Sequence, residues 1–163
     1  PKPIYRAYQL LRQAGERRCS VAATEADASG EGDAMPGTLN ALCTLTPSHG
    51  PVDGLGLRLF LSNWAFFGGQ DERGPLTVSL DIPLPPGAPR NVTATVSTID
   101  SSHANPRAAW MAMGSPAMLS AAQKTALLDA SEVGVAERPL VAGQGPARVE
   151  LTLEPDSFVA VFV

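Results

Sequence analysis

Only two cysteines, Cys19 and Cys43, occur in this chain, with no Cys-x-x-Cys spacing around either. That excludes a disulfide framework and a zinc-ribbon type of site. Histidine is as scarce: His49 lies in a Gly/Pro turn and His103 in the loop "IDSSHANPR", and no His-Glu-x-x-His or Asp-rich loop accompanies them. No cluster of metal ligands can be assembled from such a set, so neither a metal nor a cofactor is expected. Charge is low as well, at 17% of residues, and the balance is acidic, with a net charge of -4. Nucleic-acid binders carry a basic face that releases counterions, and here no basic run exceeds the "RR" at 17–18, so that partner is excluded. No stretch approaches the roughly 18 apolar residues that would span a bilayer. The N-terminus "PKPIYRAYQLLRQAGERR" is too polar for a signal peptide. A protein without a membrane partner follows, soluble as given, its composition pointing to a bacterial source and its compartment, cytoplasmic or secreted, left open.

What the chain does contain is proline and glycine, 15 of each, clustered in "ASGEGDAMPG", "TPSHGPVDG", "FFGGQDERGP" and "PLPPGAPRN". Between these breakers the apolar residues recur with period two. Leu39, Ala41, Cys43 and Leu45 alternate with polar partners, Leu42 being the exception. Leu55, Leu57, Leu59 and Leu61 alternate likewise, as do Leu76, Val78, Leu80, Ile82 and Leu84. Val92, Ala94 and Val96 make a fourth run and Val149, Leu151 and Leu153 a fifth, whereas "SFVAVFV" is apolar on both faces, as a strand covered on both sides must be. With "RCSVAAT" the count reaches about seven strands, the pattern of an antiparallel β-sandwich. Cys19 and Cys43 point the way their apolar neighbours point, so they are either two buried free thiols or one bridge between neighbouring strands.

Two regions break the β pattern. Residues 1–17 open the chain with Ile4, Ala7, Tyr8, Leu10, Leu11 and Ala14 at helical spacing, and Gly15 is expected to supply a left-handed stop. Residues 105–131 lie within the second segment, 18–163, as a two-helix crossover between strands near 98 and 147. Asn105 caps the first helix, Pro106 fits its first turn, and Gly114 ends it; Ser120 with Gln123 makes a capping box for the second. Trp110, Met113, Leu127 and Leu128 are expected to lay the pair against the sandwich. The fold class is therefore mainly β, an antiparallel sandwich with a two-helix crossover and one leading N-terminal helix.

Catalytic machinery is hard to assemble from this material. A triad needs a nucleophile, a base and an orienting group, and although Asp100 and His103 stand close in sequence, no Gly-x-Ser-x-Gly elbow exists. Glycoside cleavage asks for two carboxylates flanking one bond, yet Glu25, Asp27, Glu31, Asp33, Asp71 and Glu72 fall in polar loops where solvation is the simpler account. Binding is more plausible chemistry. Trp64, Phe66 and Phe67 in "NWAFF" are rings of the kind that stack on pyranose faces, although packing into the core is the competing account for a single cluster. Asn91-Val92-Thr93 is a glycosylation sequon that a bacterial source would make a chance match.

The order of features from Ile99 onward carries a resemblance. Ile99, Asp100, His103, Asn105, Trp110, Met113, Gly114, Ser115, Pro116 and Gln123, followed by "ARVELTLEP" and "SFVAVFV", resemble the C-terminal region of glycoside hydrolase family 39, the β-xylosidases and α-L-iduronidases. "PIYRAYQLLRQAGERR" is similar to the last helix of that family's (β/α)8 barrel. The resemblance implies a noncatalytic accessory domain, with the two catalytic glutamates on a barrel that is absent from this sequence and is its expected partner. It also implies that a strand from the extreme N-terminus of such proteins completes the sandwich, leaving an unpaired edge here. Asp100, His103 and Asn105 would then serve as a joint to the barrel or line the rim of its sugar pocket. The alternative is a freestanding carbohydrate-binding module using Trp64, Phe66 and Phe67.

Overall fold

A computed structural model describes residues 2–22, 39–46, 56–64, 74–84, 92–140 and 145–163. The chain opens with helix α1 (Pro3–Leu11) and continues through β1 (Arg17–Cys19), β2 (Leu39–Leu45), β3 (Leu57–Asn63), β4 (Leu76–Ile82) and β5 (Val92–Ile99). Helices α2 (Pro106–Ala112) and α3 (Ala121–Asp129) follow, and β6 (Gly134–Leu140), β7 (Ala147–Leu153) and β8 (Ser157–Phe162) close the order. Among the described residues every strand pairing is antiparallel: six strands form one sheet in the order β1-β2-β3-β8-β5-β6, and β4 pairs with β7 in a second.

Alternation explains how the two sheets meet. On β7, Ala147, Val149, Leu151 and Leu153 are buried while Arg148, Glu150 and Thr152 are exposed. The buried set packs with Ile82 of β4 against Cys43, Leu59, Leu61, Val96, Val159 and Val161 of the large sheet. Leu153 and Val161 are fully enclosed, and each contributes roughly 2 kcal/mol by leaving water. One polar strut spans the layers: the buried Asn63 donates from Nδ2 to the Leu153 carbonyl at 3.1 Å. The amide of Asp156, at φ 58° in the β7–β8 turn, donates in turn to the Asn63 carbonyl at 2.8 Å.

β8 lies between β3 and β5, which accounts for its two apolar faces. Val159 and Val161 face the inner core, while Phe158, Ala160 and Phe162 face a second cluster with Phe60, Ile99 and Leu10 of α1. Leu42, the exception in its strand's alternation, packs into that second cluster. Phe60 stacks with Phe158 at 6.2 Å and meets Phe162 edge-on at 6.1 Å. The Arg58 guanidinium caps the group, 4.8 Å from the Phe162 ring centre. This three-ring cluster is a second core that the expected sandwich left out.

Four expectations need correction. The crossover does not run on to a strand near 147: it returns first to β6, beside β5, so the strands number eight among the described residues. Its sequence hid it, because Val135 to Pro139 are all exposed on a sheet edge, where charged residues and proline are tolerated. The helix pair is not laid against the sandwich. Neither α2 nor α3 has a buried residue, Leu128 is 56% exposed, and the two helices pack chiefly on each other. Gly15 is not a left-handed stop, since the positive-φ glycines among the described residues are Gly56 and Gly114. Glycine is required there for space: a Cβ at Gly15 would sit 2.1 Å from the Leu45 carbonyl oxygen, where the end of α1's linker crosses β2. Finally, Ile4 and Tyr8 of α1 face outward, and the helix docks instead through Leu10, with Ala7, Leu11 and Ala14 beside it.

Candidate functional site

The loop after β5 is folded on one carboxylate. Asp100 Oδ1 accepts from the backbone amides of Ser102 and His103, both at 2.7 Å, and lies 2.9 Å from His103 Nδ1. A carboxylate is acceptor-only, so the Nδ1 of His103 carries the proton in this contact. Burial pushes the Asp100 carboxyl up, but the two amides and the imidazole outweigh it and hold the group below the ordinary carboxylate range. Tight winding places Ala104 at φ 55° and buries it, its amide donating to the Glu132 carbonyl at 3.0 Å. Asn105 then works in both directions: its Nδ2 donates to the Ser101 carbonyl at 2.9 Å, and its Oδ1 accepts from Ala108 as the cap of α2. The expected caps of α2 and α3 are thus present, the Ser120–Gln123 box in both of its hydrogen bonds.

The His103 ring lies on Gly134, where a Cβ would approach its Cδ2 to 2.4 Å. Only a glycine at the start of β6 leaves room for it. Beside this contact, Arg6 of α1 donates from Nε to the Ser131 carbonyl at 2.9 Å and pairs with the Glu132 carboxylate. Ser131, fully buried, donates its hydroxyl to the Leu128 carbonyl at 2.6 Å. Residues 131–134 are therefore a hub: they receive α1 through Arg6, the Asp100 loop through Ala104, and the His103 ring through Gly134. Nothing in the sequence points to Arg6, Ser131 and Glu132, because a lone arginine on a helix carries no signal of a partner 125 residues away.

Chemically this arrangement holds and orients. Asp100 spends its oxygens on three donors, the amides of Ser102 and His103 and the His103 imidazole. Among the described residues, too, no group of three histidine, cysteine or acidic side chains is placed to hold a metal. Of the aromatic candidates, Trp64 follows β3 and is 51% exposed, while Phe66 and Phe67 lie outside the described residues, as do His49 and the loop acids Glu25, Asp27, Glu31, Asp33, Asp71 and Glu72. The structure therefore brings Asp100, His103 and Asn105 together in one loop. Between α2 and α3 an open groove of about 390 Å³ is lined by Pro106, Leu119, Lys124, Leu127 and Leu128. Met111, Met118 and Leu128 expose most of their apolar surface on the same excursion. No described helix is long and apolar enough to cross a membrane.

No protein-family model matches the chain, and no curated protein does. Solved structures do. A monomeric β-xylosidase from Caulobacter crescentus superimposes with a TM-score of 0.66 at 16% identity, covering 98% of this chain and 30% of that one. A glycoside hydrolase family 39 enzyme from Xanthomonas axonopodis pv. citri gives a TM-score of 0.62 at 15% identity, covering 98% and 29%. The chain thus spans a little under a third of the length of these enzymes, and at such identity what is shared with them is the fold.

Proposed function

We propose that this chain is the accessory β-sandwich portion of a glycoside hydrolase resembling the β-xylosidases, and that it acts by supporting a catalytic (β/α)8 barrel. The observation that carries the reading is the asymmetry of coverage, nearly all of this chain against under a third of two glycoside hydrolases. An accessory domain needs a rigid joint and an apolar face for its neighbour. The Arg6–Ser131–Glu132 hub supplies the joint, and it stands between two outcrops of exposed apolar side chains, Ile4, Tyr5 and Tyr8 on α1 and Leu128 with Met111 on the helix pair. Single exposed apolar residues are ordinary, but several on adjoining elements mark a surface that is covered in use. Asp100, His103 and Asn105 serve this reading as the joint's internal bracing, with the carboxylates of cleavage supplied by the barrel. The β4–β7 sheet, two strands wide among the described residues, is the place for a completing strand from elsewhere in the protein.

The coding sequence upstream of Pro1 is the direct test. A barrel carrying two glutamates at the ends of its strands is expected there; a start codon with no such region before it would end the proposal. The chain by itself is expected to hydrolyse no aryl β-xyloside.

The exposure of Trp64 favours one second reading, a carbohydrate-binding module in which that ring stacks on a sugar. Titration of tryptophan fluorescence with xylo-oligosaccharides separates the two. A saturable shift abolished by Trp64→Ala supports binding, and a flat titration supports the buttress.

A further inference from the structure

Cys19 and Cys43 are direct cross-strand partners: β1 pairs with β2 in the register Arg17↔Leu45, Arg18↔Thr44, Cys19↔Cys43. Residues opposite one another in an antiparallel pair present their side chains to the same face, with Cα atoms about 4.5–5.5 Å apart. That separation lies within the range of about 4.4–6.8 Å that disulfides span. Both side chains belong to the inner core, Cys43 buried and Cys19 packed beside it, and both are free thiols in this structure. Among the described residues β1 is the shortest strand, three residues long, and it stands at the end of the large sheet. A small pucker of the edge can therefore bring the sulfurs to bonding distance.

We propose that Cys19 and Cys43 form a reversible disulfide that clasps β1, and through it the entry from α1, to the sandwich. The step is thiol–disulfide exchange with a small-molecule disulfide such as oxidised glutathione. The Cys19 thiolate attacks one sulfur of the oxidant, forming a mixed disulfide and expelling one small thiolate. Cys43 then gives up its proton and attacks the Cys19 sulfur, expelling the second small thiol. Two protein thiols and one small disulfide become one protein disulfide and two small thiols. The order follows from access. Cys19 is partly exposed on the edge strand, whereas burial, and after it the neighbouring Cys19, push the Cys43 thiol up to about 12, and a thiol held protonated is a poor attacking group. Cys43 is accordingly the resolving thiol, and its step is the slow one.

This inference stands independently of the parent enzyme. Its test uses the full chain, incubated with oxidised glutathione, digested under non-reducing conditions and mapped by mass. Trypsin leaves both cysteines in one peptide, because no lysine or arginine lies between Arg18 and Arg58, but cleavage at Glu25 and Glu31 separates them. The expected product is a monomer lighter by two hydrogens, whose Cys19 and Cys43 peptides remain joined until dithiothreitol is added. Its melting temperature should rise by about 5 °C, since a cross-link across the intervening segment restricts the unfolded chain. Cys19 held as a stable glutathione adduct, disulfide-linked dimers, or two thiols that both remain open to alkylation would each overturn the proposal.

Discussion

The two layers of sheet and the helical excursion between β5 and β6 come from the same chain, yet they are stabilised in opposite ways. In the sheets, Leu153, Val161 and Ala160 are enclosed on all sides, and their neighbours come from strands distant in sequence. In the excursion no residue of α2 or α3 is buried, and the order present is local: the Asn105 cap, the Ser120–Gln123 box, the left-handed Gly114, and the Trp110 indole donating to the Pro116 carbonyl at 3.1 Å. The difference teaches that helices can be specified by their ends while depending little on the body they stand beside. It also implies that the excursion has little to lose or gain until something covers it.

Mutations sharpen the contrast, beginning with the largest. Leu153→Ala removes a side chain with no room to collapse around, and should cost about 3 kcal/mol in urea unfolding. Loss of under about 1 kcal/mol would mean that the inner core is looser than its burial implies. Asp100→Asn should cost about 1–2 kcal/mol at neutral pH, because the two amides and the imidazole lose a charged acceptor. The sign of its pH dependence follows from the lowered carboxyl. A group depressed in the folded state contributes stability above its unfolded pKa of about 4, and that contribution fades as pH falls through the lower folded value. The acid limb of the stability curve should therefore be shallower in Asp100→Asn than in the parent, and identical limbs would refute the bracing role. Ser120→Ala should cost α3 about 1 kcal/mol of local order. Amide exchange should accelerate within Ala121–Asp129 while global unfolding stays put; a falling global midpoint would show the excursion to be integral. Smallest of all is the exposed pair on the outer face of β4 and β7, where Arg148 donates to Asp81 from Nε at 2.7 Å and from a terminal nitrogen at 2.9 Å. Arg148→Ala should leave the melting temperature unchanged, as solvated ion pairs commonly do.

The same contrast separates what could be read in the sequence from what could not. β7 was legible because one face is buried and the other wet, and β8 because both its faces are covered. β6 was illegible, since at an edge no alternation is demanded and Glu137, Arg138 and Pro139 look like a loop. Helix ends were legible because capping is decided within four residues. The cover over a helix face is decided by whatever stands opposite, so Leu127 and Leu128 announced an apolar stripe without saying what it meets. The site divides likewise. Asp100, His103 and Asn105 lie within six residues and could be linked on sight, whereas Arg6 and Glu132, which tie that loop's hub to α1, are brought together only by the fold. The aromatic residues divide in the same way. "NWAFF" is a cluster visible in the sequence, whereas Phe60, Phe158 and Phe162, which pack together among the described residues, are dispersed over two strands.

The position of β8 has a consequence for how the protein is made. β3 and β5 never touch in the large sheet; each is hydrogen-bonded to β8, which is synthesised after both. On the ribosome the nascent sheet therefore waits as two separate halves, each with an apolar edge open to misplaced strands. One insertion, that of Ser157–Phe162 between two strands already made, is what joins them.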